Sequence, residues 1–309
     1  MLNISHYDLD GACASMIIKE KYPMIDCVNI GYKDIEEAIY NIEGMYYDEV
    51  YITDLHIGNE ALKTLRNIVE ELPHTKFVFI DHHEYDEEAY EILNSLPDNF
   101  EYIIDTTKCA TRLTYEYLGM SYKYEDFVLS VDAYDLFKKE DERFQRGFDL
   151  NTVFWEMRLE RFRTSFRNFD IDSNRYYKEI SEKVNEKSEK HFKMLEDNGL
   201  SFKKHGIRFI FTSEYLGFIN KIYNDNFIIA ARLDEDKNVK NISVRFDNMD
   251  TDIIVQLRKR IIENAEKLPE YISAGGHKKA FGVTLRACNV NAIEKILEGV
   301  MDEINKWAA

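Results

Sequence analysis

Residues 4–11 read ISHYDLDG, a stretch in which a short apolar run meets three potential metal ligands, His6, Asp8 and Asp10. Leu2 to Ser5 has the composition of a buried strand, and the helix-forming ACASMIIKEKY follows the glycine. In an open α/β sheet, ligands bind outside the carboxyl ends of the strands, where such a turn sits. Taken alone, a solvated acidic turn with a helix N-cap accounts for it as well. The chain then repeats the arrangement. EVYITDL at 49–55 is an apolar run that ends on a carboxylate, Asp54. KFVFIDHHE at 76–84 ends in Asp81, His82 and His83, and EYIID ends at Asp105. Val, Ile and Phe runs without polar alternation suit strands buried on both faces. Between them, 34–42, 59–72 and 85–96 have helical character. Strand and helix alternate, so the expected fold class is α/β, with an N-terminal, mainly parallel sheet flanked by helices.

A further acidic pair, Asp132 and Asp135, lies in FVLSVDAYDLF at 127–137, which reads as a helix. This helix is expected to aim Asp132 at the strand ends. Asp135, three residues on, shares that face as a partner behind the ligands or as a surface acid. ISHYDLDG, Asp54, DHH at 81–83 and VDAYD, in that order, resemble the four motifs of the DHH phosphoesterase family. RecJ-like exonucleases, nanoRNases, cyclic-dinucleotide phosphodiesterases, exopolyphosphatases and family II pyrophosphatases belong to it. SAGGHKKAFGVTL at 273–285 resembles the GGGH motif of the C-terminal substrate domain of its nuclease branches, with Ala274 in place of the first glycine. Only Tyr7 separates His6 from Asp8, as in the RecJ-like pattern, where many small-substrate relatives have three residues.

The resemblance implies two divalent ions, with Mn²⁺ favoured. His6, Asp8 and Asp54 would hold one ion; Asp10, Asp54, His82 and Asp132 would hold the other. His83 would act toward the scissile phosphate, and Asp81 would orient the neighbouring histidines. Gly275, Gly276, His277 and Arg245 would bind the far part of the substrate. The implied activity is a metal-dependent phosphodiesterase releasing mononucleotides from short single-stranded oligonucleotides or dinucleotides. A RecJ-like exonuclease on longer strands and a non-catalytic nucleotide-binding protein of the same fold stay open.

At 309 residues, two substantial cores are expected. The expected divisions are a catalytic domain at 1–140, a helical connector at 141–205 and a smaller C-terminal α/β domain at 206–309. The net charge of −17 counts against binding long duplexes, which rests on phosphate neutralisation by Lys and Arg. It leaves room for a phosphorylated substrate, because metal ions supply local positive charge. Cys13, Cys27, Cys109 and Cys288 form no CxxC, which fits reduced thiols and a cytoplasmic setting. No apolar run reaches membrane-spanning length and no signal peptide is expected; a homodimer stays open. Between 143 and 167, six arginines alternate with Phe144, Phe148, Phe154, Trp155, Phe162 and Phe166. That pattern reads either as a track for a single strand or as an amphipathic connector with its aromatics packed inward.

Overall fold

The computed structural model describes residues 1–44, 46–213, 223 and 225–300, and for His277 the backbone alone. The chain divides into two units, Met1–Lys183 and Val184–Ala309. Unit 1 is built on five parallel strands, β1 (Leu2–His6), β2 (Asp26–Ile30), β3 (Glu49–Thr53), β4 (Lys76–Asp81) and β5 (Phe100–Ile104), in the order β2-β1-β3-β4-β5. β3 and β4, the continuous apolar runs, lie with β1 at the centre, as two-sided burial requires, whereas β5, read from EYIID, lies at an edge and is partly exposed. β2 was not among the expected strands; it lies at the sheet edge, and its DCVNI is half polar.

Alternate strand residues face opposite layers. Tyr51, Val78 and Ile80 pack with α1 (Leu9–Lys21), α5 (Ala110–Tyr117) and α6 (Glu125–Asp135). Val50, Ile52, Phe77 and Phe79 pack with α2 (Ile35–Tyr40), α3 (Asn59–Glu71) and α4 (Glu87–Asn94). α1 is buried from Leu9 to Ile18, and its N-cap is Asp8, whose Oδ1 accepts from the Gly11 N–H at 3.0 Å. Gly11 is required by close approach, since a Cβ there would collide with the His6 backbone. That packing brings the start of α1 down onto the end of β1.

The segment expected as a connector does not stand apart. α7 (Phe144–Met157) and α8 (Leu159–Ser165) bury Leu150, Val153, Phe154, Phe162 and Phe166 in the same cluster as Ile17 and Val78. Each buried aromatic contributes roughly 2–3 kcal/mol of apolar transfer. The boundary between the units falls inside α9 (Arg175–Asp197).

Unit 2 is a six-stranded mixed sheet in the order β10-β11-β9-β8-β7-β6. Its strands are β6 (Ser201–Lys204), β7 (Ile207–Thr212), β8 (Phe227–Leu233), β9 (Val239–Phe246), β10 (Tyr271–His277) and β11 (Ala280–Cys288). α10 (Thr251–Glu266) and α11 (Asn291–Ile296) bury Ile254, Leu257, Ile261 and Ile293 against Val244, Phe246 and Phe281. α11 is the last described element, and 301–309 lie outside the described residues. The architecture is thus the α/β class expected, a helix-flanked parallel sheet followed by a smaller mixed-sheet unit.

Candidate metal centre

The chain runs from β1 to β2 on one side, then returns to place β3 on the other side of β1. The connections after β1 and β3 therefore part at the carboxyl edge and leave a crevice there. His6 ends β1, Asp54 directly follows β3, and Asp81 ends β4 with His82 and His83 after it. Asp8 and Asp10 enter with the start of α1. One crevice collects them all.

His6 Nδ1 lies 2.9 Å from Asp8 Oδ2 and 3.9 Å from Asp54 Oδ2. Asp54 adopts φ +55°, a left-handed conformation that Asp tolerates better than most residues, and its N–H donates to the Ile80 carbonyl at 3.0 Å. This turns its carboxylate into the crevice, where Oδ1 sits 3.1 Å from His82 Nε2. The two oxygens of Asp54 thus face different histidines. Asp10 Oδ2 is 3.7 Å from His82 Nε2, and Asp135 Oδ2 is 3.6 Å from His82 Nδ1. Asp10 also accepts from the N–H groups of Ala110 and Thr111 at 2.7 and 2.8 Å, anchoring the start of α5. Among the described residues, three overlapping sets have the compactness of ligand shells: His6, Asp8 and Asp54; Asp10, His82 and Asp135; Asp54, Asp81, His82 and His83.

Asp81 is fully buried; its Oδ1 pairs with His83 Nδ1 at 2.8 Å and its Oδ2 accepts from the Tyr85 hydroxyl at 2.7 Å. His83 itself is partly exposed, so its far edge faces the solvent side of the crevice. His56 and Tyr32, which carry no motif in the sequence, stand at its rim. The His56 and His83 rings are 5.6 Å apart, and the Tyr32 ring lies 4.2 Å from that of His6.

Electrostatics show how crowded the pocket is. Burial, with Asp8, Asp10 and Asp135 nearby, pushes Asp54 well above the usual carboxylate range. Burial drives Asp135 up to about 8, with Asp10 and Asp8 adding to it against the pull of His82. Asp81 goes the other way: burial would raise it, but His83, His82 and the Tyr85 hydroxyl hold it at about 2. His82 is raised although burial opposes it, because Asp135, Asp10 and Asp81 favour its cation. Asp8 stays below its ordinary value against burial through His6 and the Gly11 N–H.

A divalent cation fits this donor set. The buried Oδ2 of Asp54 accepts no hydrogen bond, an expensive state for a carboxylate oxygen unless a cation faces it. Mixed carboxylate and imidazole ligands suit Mn²⁺ and similar ions.

Asp132, expected among the ligands, is placed elsewhere. Its Oδ1 accepts from the Cys109 N–H at 2.9 Å, and its Oδ2 is held by Arg112 at 3.2 Å and Lys138 at 2.6 Å. Asp135, one turn on, takes the position beside Asp10 and His82. The arginine-rich segment is tied down locally. Arg143 pairs with Asp141, Arg146 with Asp126 and Asp172, and Arg161 lies over the Tyr176 ring.

Within unit 2, Gly275 and Gly276 belong to β10, and the tight turn falls at Lys278 and Lys279. Gly276 has φ +119°, and a Cβ there would meet the Ala280 carbonyl oxygen at 2.7 Å, so its glycine is demanded by the hairpin. Gly275 faces open space. Arg245 on β9 lies opposite Ala280 and donates to the carbonyls of Val244 and Phe281 at 2.8 and 3.2 Å. Arg258 donates to the Gly276 carbonyl at 3.1 Å. The side chain of His277 lies outside the described residues.

No family model matches the chain. A protein of Helicobacter pylori named 3′,5′-cyclic-nucleotide phosphodiesterase is 24% identical over 196 residues, 57% of this chain and 53% of that protein. The match thus spans about half the length of that relative. Among solved structures, the pGpG-specific phosphodiesterase PggH of Vibrio cholerae is similar over 99% of both chains, with a TM-score of 0.58 and 14% identity. That likeness shows a shared fold. An uncharacterized protein of Helicobacter pylori G27 is similar over 97% of this chain and 99% of its own, at a TM-score of 0.47 and 17% identity.

Proposed function

We propose that the chain is a metal-dependent phosphodiesterase of the DHH type that hydrolyses short single-stranded oligonucleotides or dinucleotides to mononucleotides. The observation that carries this reading is the acid and imidazole cluster at the switch point, with the unmatched Asp54 Oδ2 at its centre. The relative named as a cyclic-nucleotide phosphodiesterase supports a nucleotide substrate.

His6, Asp8 and Asp54 would hold one ion, and Asp10, His82 and Asp135 the other, with Asp54 shared. Bound there, two divalent ions, Mn²⁺ by preference, would acidify the attacking water and neutralise charge on both sides of an in-line displacement at phosphorus. The chain's own residues do the rest. Asp81 fixes the His83 ring by the 2.8 Å contact at Nδ1, and the ring so oriented would turn Nε2 to the phosphate or protonate the departing oxygen. Tyr85 in turn locks Asp81, and the Ile57 N–H donates to the Tyr85 hydroxyl at 3.1 Å. Gly275, Gly276, His277 and Arg245 would contact the part of the substrate away from the reacting phosphate.

The short substrate is favoured over a long strand by the packing of the aromatic segment. Phe144, Phe148, Phe154, Phe162 and Phe166 are buried and present no faces to bases. The test is Mn²⁺-dependent hydrolysis across pNpN dinucleotides, oligomers of increasing length, cyclic mono- and dinucleotides, pAp and pyrophosphate. Dinucleotides should have the highest kcat/KM, and Asp54→Ala should abolish turnover while the protein stays folded. Efficiency that rises steadily with strand length, or a preference for pyrophosphate, would reject the reading.

A further inference from the structure

Asn29 lies on β2 beside β1, opposite Ser5 in the parallel register. Its amide Nδ2 donates to the His6 carbonyl at 2.6 Å. On the other side, its Oδ1 accepts from the Ser15 hydroxyl at 3.3 Å and from the Arg163 guanidinium. Arg163 comes from α8, is largely buried, and is steadied by Glu160 at 3.1 Å. A side-chain amide can sit either way round, and its two ends have opposite hydrogen-bonding character. The Arg163 guanidinium can only donate, which compels the amide oxygen to face it and the NH₂ to face the His6 carbonyl; the Ser15 hydroxyl follows either way. A reversed amide would set its oxygen against the His6 carbonyl and its NH₂ against Arg163.

We infer that Arg163 and Asn29 form a relay that fixes the His6 peptide, and so aims its imidazole at Asp8 and Asp54. Both are positioning residues, and the inference rests on the assignment of His6 to the metal centre. His6 is the last residue of β1, where ladder bonding gives way to the turn into α1. Its imidazole direction follows from the orientation of that terminal peptide. Ligating histidines depend on such supporting bonds, and losing one typically lowers metal affinity or activity about 10–100-fold. The arginine at 163 therefore serves the site from inside the fold.

The decisive variant is Asn29→Asp. It keeps the shape and strengthens the link to Arg163, but it turns an oxygen toward the His6 carbonyl. A purely structural staple between α8 and β2 would survive this change. The relay would not. In metal-free protein selectively labelled on His and Tyr, the nuclear Overhauser contact between the His6 and Tyr32 rings, whose centroids lie 4.2 Å apart, should fall several-fold. Mn²⁺ affinity by calorimetry should drop about tenfold, with the melting temperature held. Arg163→Gln, which leaves the Asn29 amide able to reverse, should give both effects and serves if the first variant does not fold. Either readout staying at its wild-type value in both variants overturns the relay. Wild-type protein that takes up no Mn²⁺ would sink the proposed function and leave the ring contact to decide the relay.

Discussion

Asp132 and Asp135 lie one helical turn apart on α6, and substituting each by Asn should separate stability from metal binding. In Asp132→Asn the amide oxygen can still accept from the Cys109 N–H, but the charge facing Arg112 and Lys138 is lost. Hydrogen bonds to charged groups contribute about 1.5–3 kcal/mol each when shielded. Arg112 and Lys138 are 30% and 34% exposed, so solvent makes good part of the loss. A net cost of roughly 1–2 kcal/mol remains. For a unit of this size that lowers Tm by about 2–8 °C. Mn²⁺ affinity should stay within about threefold, since Asp132 touches no member of the cluster; this limit reflects typical context effects. Asp135→Asn should do the reverse. The Asp135 carboxyl titrates near 8 in the metal-free protein, against about 3.9 in an unfolded chain. The folded state therefore holds a proton that the unfolded state releases, and wild-type stability falls as pH rises from about 4 to about 8. Asn removes that dependence, so the metal-free variant should be more stable than wild type at pH 8, by on the order of 5 kcal/mol at about 1.4 kcal/mol per pKa unit, and equal to it near pH 4. Mn²⁺ affinity should fall at least tenfold, an estimate from the loss of one charged ligand. Urea titration without metal at both pH values, with calorimetric Mn²⁺ titration at pH 8, measures each term. Asp135→Asn with unchanged metal affinity, alongside Asp132→Asn with weakened affinity, would refute the exchange of roles.

Three further outcomes follow from the same geometry. His82→Ala should weaken metal uptake, so that excess Mn²⁺ partly restores activity, whereas His83→Ala should lower kcat with metal content unchanged; equal metal loss after dialysis would show the roles divided wrongly. Gly276→Ala should destabilise unit 2 by about 2–4 kcal/mol through its φ of +119° and the collision with the Ala280 carbonyl, while Gly275→Ala should be neutral; similar melting curves for the two would count against the hairpin account. Asp225 is held below its ordinary pKa, against burial, by Lys203 and Arg208, each at 2.8 Å. Its depressed folded value means the stabilisation is present above about pH 4 and lost as pH falls through the folded pKa. Asp225→Asn should therefore cost roughly 1 kcal/mol at pH 7 and nothing at pH 2, and a penalty independent of pH would contradict the ion-pair origin.

The central strands were legible because two-sided burial writes continuous apolar runs, and the residues ending β1, β3 and β4 could be read with them. β2 was not, because its DCVNI at the sheet edge carries no such run, unlike the other edge strand β5, and Asn29 went unnoticed with it. Helical spacing put Asp132 and Asp135 on one face but could not say which reaches the crevice. That is decided by Arg112 and the start of α5, which are remote in sequence from both, and by which acid the nearby Lys138 takes. The glycines at 275 and 276 stood together in one motif, yet only Gly276 is conformationally demanding, and it lies within a strand. Alternating Arg and Phe looks the same in a nucleic-acid track and in an amphipathic helix. Burial of the Phe side chains separated the two.

Asp132 also shows what a satisfied buried carboxylate looks like in this fold. It has a backbone N–H on one oxygen and two cations on the other. One turn away the chain had the same means available and did not use it. Asp10 is held by two backbone N–H groups, and Asp54 meets His82 on one oxygen while the other, 3.9 Å from His6 Nδ1, accepts no hydrogen bond. A Lys or Arg in the crevice would neutralise the cluster permanently and fill the space between its oxygens. Backbone donors and imidazoles instead fix the carboxylates in place while leaving their charge largely uncancelled. Crowding then forces Asp54 and Asp135 upward in pKa, a cost that a divalent ion reverses on binding by making the ionised form the favoured one. The fold thus carries the price of the site within unit 1 itself, in the positive φ of Asp54 and the close approach at Gly11, and leaves an acidic cluster whose uncancelled charge suits a divalent cation.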